Sequence, residues 1–310
     1  MINKYLPYVY FEGKIVPLGK AKVSVTNKTL QYGSGVFSGL RGYYNKEEKT
    51  VNVFRIEDHY KRMLDSLKIL NARLKLSSKQ LADLTIELVK KNKPAANFYI
   101  RPFAYCPSEV IAPTLIGNEV FDVAIYMMTM DDYLPVDKGL SVCVSSWNRI
   151  SDNALPPRGK FSGAYVNSML ARDDAIRAGF NEAVFLSADG HVVEGSAENI
   201  FIVRDNVLIT PPATADILEG ITRKSIIELA GENDIKVEER LIDRTELYIA
   251  DEIFLTGTAV QVAWVAEVDK RKIGSGKIGP ITKKLQKMFF DTVYGKTEKN
   301  KNWLTEVVFK

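Results

Sequence analysis

Histidine is nearly absent: the 310 residues include only His59 and His191. A histidine-rich metal site is excluded, and no C-x-x-C or H-E-x-x-H pattern offers another, so no metal is expected. Cysteine is as scarce, with Cys106 and Cys143 alone. Two cysteines build no disulfide scaffold, so a reducing, cytoplasmic setting is expected. No run reaches the roughly 18 apolar residues of a membrane span. The opening MINKYLPYVYFEGK lacks the apolar core of a signal peptide. Neither charge sign dominates, with 42 basic against 38 acidic residues and a net charge of +4. The signs are mixed along most of the chain, which argues against a nucleic-acid partner. Without a metal or a histidine-centred triad, difficult chemistry falls to a lysine, to carboxylates or to an organic cofactor.

What is present is ordinary for a globular protein. Hydrophobic residues make up 46% and charged residues 26%, and the length suits two domains of about 100–200 residues each. Strands are expected at VNVFR (51–55), NFYIRPFAY (97–105) and VFDVAIYMMTM (120–130) from their β-branched and aromatic content. Between the first two, Ile56, Tyr60, Met63, Leu64, Leu67 and Leu70 recur at helical spacing. A second helix should follow Ser77, with Gln80 completing a capping box. DDYLPVDKG reads as a linker over 131–139. Beyond it come LSVCVSS (140–146), then a helix with Tyr165, Val166, Met169, Leu170 and Ile176 on one face and Gly179 as its C-terminal stop. Short strands follow, then the helix ITRKSIIELA, strands near 235–241 and 252–268, and a last helix from Pro280. The irregular interleaving favours an α+β architecture.

Four features carry chemical promise. Lys160 lies between a proline loop and an apolar helix, where partial desolvation makes an amine nucleophilic; a surface lysine is the plainer reading. HVVEGSAENIFIV puts Glu194 at a strand end beside Gly195, with Glu198 and Asn199 following; an exposed hairpin with a charged tip is the plainer reading. ILEGITRKS places Gly220, Ile221 and Thr222 at a helix start, where backbone N–H groups and the dipole form an anion site; a merely capped helix is the commoner case. FLTGTAVQV offers Gly257 and Thr258 as a further anion contact, against a simple β-bulge. A lysine, a carboxylate for a ring nitrogen and two phosphate cradles together suit pyridoxal phosphate, whose ring is an electron sink.

The motif E-G-S-A-E-N-I-F, then L-I-T, then L-E-G-I-T-R, resembles the class IV aminotransferase signature at that family's spacing. The wider chain, from YVYFEGK to NWLTEV, is similar to the branched-chain amino acid aminotransferases. The resemblance implies the two-domain α+β architecture of fold type IV pyridoxal phosphate enzymes. It gives a small N-terminal domain (1–130) and a large C-terminal one (140–310), with the cofactor at their interface. It implies that Lys160 carries the cofactor and shuttles the substrate proton. Glu194 would pair with the ring nitrogen and Tyr165 with the ring oxygen. Arg62, Leu218, Gly220, Ile221, Thr222, Gly257 and Thr258 match the phosphate and carboxylate-binding positions. Tyr32, Phe37, Gly39 and Arg41, in a pocket strand, and Tyr99, Arg101, Thr258 and Ala259 match the substrate side. The resemblance further implies transamination of L-leucine, isoleucine or valine with 2-oxoglutarate, and a homodimer or larger homo-oligomer.

The chain departs from the family at particular points. Ser38 stands where glutamate is usual, and Ala164 where asparagine precedes the tyrosine. The 104–119 segment differs from the common glycine-rich loop, and Gln261 and Ala263-Trp264 replace Glu and Thr-Pro. These leave a D-amino acid, (R)-amine or broadened substrate range open within the same fold. An aminodeoxychorismate lyase is a further reading, and a non-catalytic binding module is the alternative from another class.

Overall fold

The computed structural model describes residues 4–130 and 138–309. The chain forms two compact units: Met1–Asp131 with Gly159–Gly163 and Thr292–Lys310, and Asp132–Arg158 with Ala164–Asp291. Residues 131–137 of the expected linker lie outside the described residues. Among the described residues, no helix is long and apolar enough to cross a membrane.

The first unit is built on an antiparallel sheet. Its strand order is Leu304–Val308, Thr50–Phe54, Leu40–Asn45, Phe98–Tyr105, Asp122–Thr129, Tyr8–Phe11 and Lys14–Pro17. Chain order alone leaves the last strand with the C-terminal half. Its pairing from Leu304↔Phe54 to Val308↔Thr50 instead makes it an edge of the N-terminal sheet. Helix Ile56–Ile69 follows the expected periodicity and buries Ile56, Tyr60, Met63 and Leu67. Burial of Met63 and Leu67 contributes about 1.5–3 kcal/mol each. The added finding is that His59 and Ser66 share that buried face. Helix Ser78–Asn92 begins with the expected capping box, both halves of the Ser77–Gln80 exchange being made.

The second unit is a mixed sheet. Strands Val192–Gly195, Glu182–Leu186, Leu140–Asn148, Gln261–Val268, Glu252–Gly257 and Asn199–Arg204 neighbour one another in that order. A further pairing of Val192–Gly195 with Asn199–Arg204 closes these six strands into a ring. Leu140, Val142, Val184, Ile200, Leu255 and Val265 belong to the apolar core of this unit. The expected strand at 252–268 is in fact two, Glu252–Gly257 and Gln261–Val268, paired antiparallel around a tight turn.

Helix Tyr165–Arg177 forms as expected, and four of its apolar residues point to solvent. Val166 and Met169 are 58% and 63% exposed, and Leu170 and Ile176 also face outward. The buried side is Ser168, Ala171 and Ala175, with both alanines packed on Phe185, Val193 and Ile217. Small side chains let the helix approach the sheet closely, and this outweighs the larger apolar stripe. Gly179 ends the helix region at φ +82°. The amide of Phe180 returns to the carbonyl of Ala175, the closing bond of a left-handed stop.

Candidate active site

Lys160 is placed by the first unit. Its carbonyl accepts from the amide of Phe37 at 3.1 Å, and its amide donates to Ser66 Oγ at 3.2 Å. Ser66 Oγ in turn donates to the carbonyl of Arg62 at 2.9 Å. One helical turn therefore holds both the Lys160 backbone and the root of Arg62. The ammonium lies 5.2 Å from the centre of the Phe37 ring, and the side chain is half-buried. The plainer reading of an ordinary surface lysine does not describe this setting.

Sequence reasoning gave His59 no role, yet it lies in the same region. The ring is buried, and Nδ1 is 3.1 Å from Ser38 Oγ. Burial holds its pKa well below the ordinary value, and the charges of Arg62, Lys160 and Arg55 push it further down. The imidazole is thus a neutral group among cations. As the pH falls, the unfolded chain takes up this proton before the folded one. The stability tied to neutral His59 is full above about pH 6.5 and is lost as the pH drops toward the folded value. The urea midpoint of the wild type should therefore fall more steeply between pH 7.5 and 5 than that of His59→Gln.

The substrate-side residues are dispersed over more elements than a single strand. Tyr32 ends the short helix Lys28–Tyr32 and is 41% exposed. The expected pocket strand is divided into Val36–Phe37 and Leu40–Asn45, and Gly33 turns the chain ahead of it at φ +64°. Arg101 is stacked: its guanidinium carbon lies 4.5 Å from the Phe37 ring centre and 5.1 Å from that of Tyr99. Arg101 Nη2 donates to the Tyr99 hydroxyl at 3.1 Å. Gly39 has a steric reason, since a Cβ there would lie 1.7 Å from the Tyr99 hydroxyl. Arg41 is buried in its own strand layer and donates to the carbonyl of Met130 at 3.3 Å.

The second unit centres on Glu194. The expectation of an exposed hairpin fails, for Glu194, Ser196, Glu198 and Asn199 are all buried. One carboxylate oxygen of Glu194 meets Arg149 Nη2 at 2.8 Å. The other accepts from Asn199 Nδ2 and from the Leu218 amide, each at 3.1 Å. Arg149 was not singled out from sequence; its only signal is a cation at a strand end. These three partners are donors, so they suit the ionised carboxylate, which is an acceptor only. Nearby, burial pushes the Glu198 carboxyl up, and the charge of Glu182 adds to the effect.

Two backbone cradles complete this unit. Helix Ile221–Gly231 begins at Gly220 without a side-chain cap. Its first amides, among them those of Ile221 and Thr222, therefore offer donors beside the positive end of the helix dipole. Gly220 cannot carry a side chain, since a Cβ would come within 2.0 Å of Asn199 Oδ1. The second cradle is the turn between Gly257 and its partner Gln261, which presents Thr258 and Ala259; Gln261 closes it at φ +62°. Just before this turn, Thr256 Oγ1 is buried without a hydrogen-bond partner among the described residues. Tyr165 opens its helix and is half-buried. An acceptor-only buried carboxylate beside an uncapped helix start fits a protonated ring nitrogen and a phosphate, the two polar ends of pyridoxal phosphate.

Comparison with known proteins agrees with a pyridoxal phosphate cofactor. The amino-transferase class IV family model matches residues 35–268. A probable branched-chain-amino-acid aminotransferase of Aquifex aeolicus is 45% identical over 98% of each chain. The branched-chain-amino-acid aminotransferase of Pseudomonas aeruginosa is 41% identical, covering 96% of this chain and 97% of its own. Among solved structures, the branched-chain aminotransferase of Thermoproteus uzoniensis with norvaline has a TM-score of 0.92 at 39% identity, covering 98% of this chain and 99% of that one. The branched-chain amino acid aminotransferase of Thermobaculum terrenum, in its PLP-form, has a TM-score of 0.93 at 37% identity, again covering 98% and 99%. The chain therefore belongs to the class IV aminotransferases, within the branched-chain amino acid aminotransferase family of pyridoxal phosphate-dependent enzymes.

Proposed function

We propose that the protein transfers the amino group of L-leucine, L-isoleucine or L-valine to 2-oxoglutarate, giving branched 2-oxo acids and L-glutamate. The observation that carries this reading is the stacked Arg101. Phe37 and Tyr99 flank its guanidinium, so apolar ring surface and one fixed positive charge stand together. An aliphatic side chain suits the rings. The γ-carboxylate of glutamate suits the guanidinium, which binds carboxylates through a planar fork. Both substrates then use one site in turn, which gives ping-pong kinetics.

Bound pyridoxal phosphate supplies a ring that takes up the electron pair released at the substrate α-carbon. Lys160 carries the cofactor between turnovers, and its amine takes the α-proton and returns it. Glu194 holds the proton at the ring nitrogen. Tyr165 donates its hydroxyl to the ring oxygen. Phosphate contacts would come from Arg62 of the first unit and, in the second, from the amides of Ile221 and Thr222, the Thr222 hydroxyl and Thr258. Leu218, Gly220 and Gly257 let the backbone come close. Thr258 and Ala259 amides orient the substrate carboxylate, and Tyr32, Gly39 and Arg41 shape the substrate side.

A homo-oligomer, dimer or larger, is part of the proposal. Exposed Val110, Ile111 and Ile116 of the 104–119 segment and the apolar stripe of helix Tyr165–Arg177 support it, because apolar surface in such patches favours association. A cytoplasmic setting accords with two free cysteines. The deciding measurement is a donor panel with 2-oxoglutarate as acceptor. L-leucine should exceed D-alanine and (R)-1-phenylethylamine by about 100-fold or more in kcat/KM, a difference of about 2.7 kcal/mol in transition-state binding. Preference for either of the other donors would replace this substrate reading with the D-amino acid or amine alternative.

A further inference from the structure

Asn199 is directly opposite Glu194 across the Gly195–Glu198 turn. On its other side it pairs with Thr256, the residue before Gly257. It therefore sits where the carboxylate strand and the Gly257 turn share one backbone ladder. Its side chain brings in a third element. One amide hydrogen is directed to Glu194 Oε2 at 3.1 Å and the other to the carbonyl of Leu218 at 2.8 Å. The Leu218 amide returns to the same Glu194 oxygen at 3.1 Å. The result is a closed three-cornered cycle of hydrogen bonds. Asn199 Oδ1 meanwhile lies against Gly220, leaving no room for a Cβ.

We propose that Asn199 is a positioning residue that couples Glu194 to the Leu218–Thr222 phosphate loop, so that ring-nitrogen binding and phosphate binding are set by one side chain. The inference rests on the cofactor roles proposed above for Glu194 and Thr222. The chemistry selects asparagine. A carboxamide has two N–H bonds diverging from one planar nitrogen, and this site uses both, on acceptors belonging to different elements. Aspartate has the same shape but no donor, and it would set a second carboxylate against Glu194 and the Leu218 carbonyl. Serine keeps one donor and loses the second. Shape alone would tolerate aspartate, whereas a coupling role would not.

The test compares wild type, Asn199→Ala, Asn199→Asp, Glu194→Gln and Thr222→Ala in the full-length protein. Two quantities are read: the pH midpoint of the bound cofactor's visible absorbance, and the affinity for pyridoxal phosphate relative to pyridoxal. Glu194→Gln should move the first, and Thr222→Ala the second. Asn199→Ala should move both, weakening pyridoxal phosphate binding by about 10- to 100-fold. Asn199→Asp should be worse than alanine in both. The proposal is overturned if Asn199→Ala leaves either quantity at its wild-type value, or if Asn199→Asp binds as wild type does. Should neither alanine nor aspartate variant fold, Asn199→Ser is read the same way, with an intermediate shift in both quantities expected and a wild-type value in either overturning the proposal. If Glu194→Gln and Thr222→Ala themselves change nothing, it is the assignment of the cofactor roles that fails.

Discussion

Lys160→Ala is expected to abolish transamination, with kcat falling by at least about 10⁴-fold. Two proposed functions would vanish with one amine: the covalent hold on the cofactor and the proton transfer at the α-carbon, the latter alone worth about 10²–10⁴. The fold should survive. The backbone contacts of Lys160 to Phe37 and Ser66 use its carbonyl and amide, which alanine retains. The stability change should therefore stay within about 1 kcal/mol. Lys160→Arg is a strict control. It preserves the positive charge near the Phe37 ring but has no nucleophilic amine at neutral pH, so it should be as inactive as alanine. The checks are the rate with L-leucine, the visible absorbance of protein incubated with pyridoxal phosphate, and its response to borohydride. A reducible band retained in Lys160→Ala would remove Lys160 from its proposed role.

Arg149→Met should give the largest loss of stability. Arg149 and Glu194 form a buried pair at 2.8 Å, with side chains 10% and 6% exposed. Arg149 also lies over the Phe185 ring at 5.6 Å, and methionine can replace much of that packing. It cannot replace the charge. An uncompensated buried carboxylate costs about 3–5 kcal/mol. Urea denaturation of the cofactor-free protein measures this directly. The electrostatic origin is checked by adding Glu194→Gln, which removes the stranded charge. The double variant should recover a substantial part of the loss, so the two effects should be far from additive. Additive losses would instead assign the cost of Arg149→Met to packing.

The first unit shows how far local patterning reaches. The periodicity of Ile56, Tyr60, Met63, Leu64, Leu67 and Leu70 predicts a helix, and of these Ile56, Tyr60, Met63 and Leu67 are buried while Leu64 and Leu70 are half-buried. Ser77 and Gln80 predict a capping box, and both of its bonds form. In the second unit, Gly179 predicts a stop, and the chain turns left-handed there. Each of these signals is completed within a few helical turns, where the chain itself brings the partners together. The motif around Glu194 is legible for the same reason, since Glu194 and Asn199 are joined by a tight turn.

Other features depend on partners that are distant along the chain. The sequence puts Tyr165, Val166, Met169, Leu170 and Ile176 on one face of helix Tyr165–Arg177, but which face is buried is decided by the close fit of Ala171 and Ala175. The C-terminal strand Leu304–Val308 joins the N-terminal sheet through a register no local pattern encodes. His59 is an ordinary helix residue in sequence, and burial beside Arg62, Lys160 and Arg55 makes it a neutral base. Residue type, spacing and turn chemistry are local properties. Most helix and strand positions can therefore be read from the chain alone, whereas roles for Lys160, Glu194 and the glycine-marked loops come from the family resemblance. The convergence of Arg149, Asn199 and Leu218 on Glu194 exists only once the elements have packed, because burial and long-range hydrogen-bond partnership are properties of neighbours in space and not of neighbours in sequence.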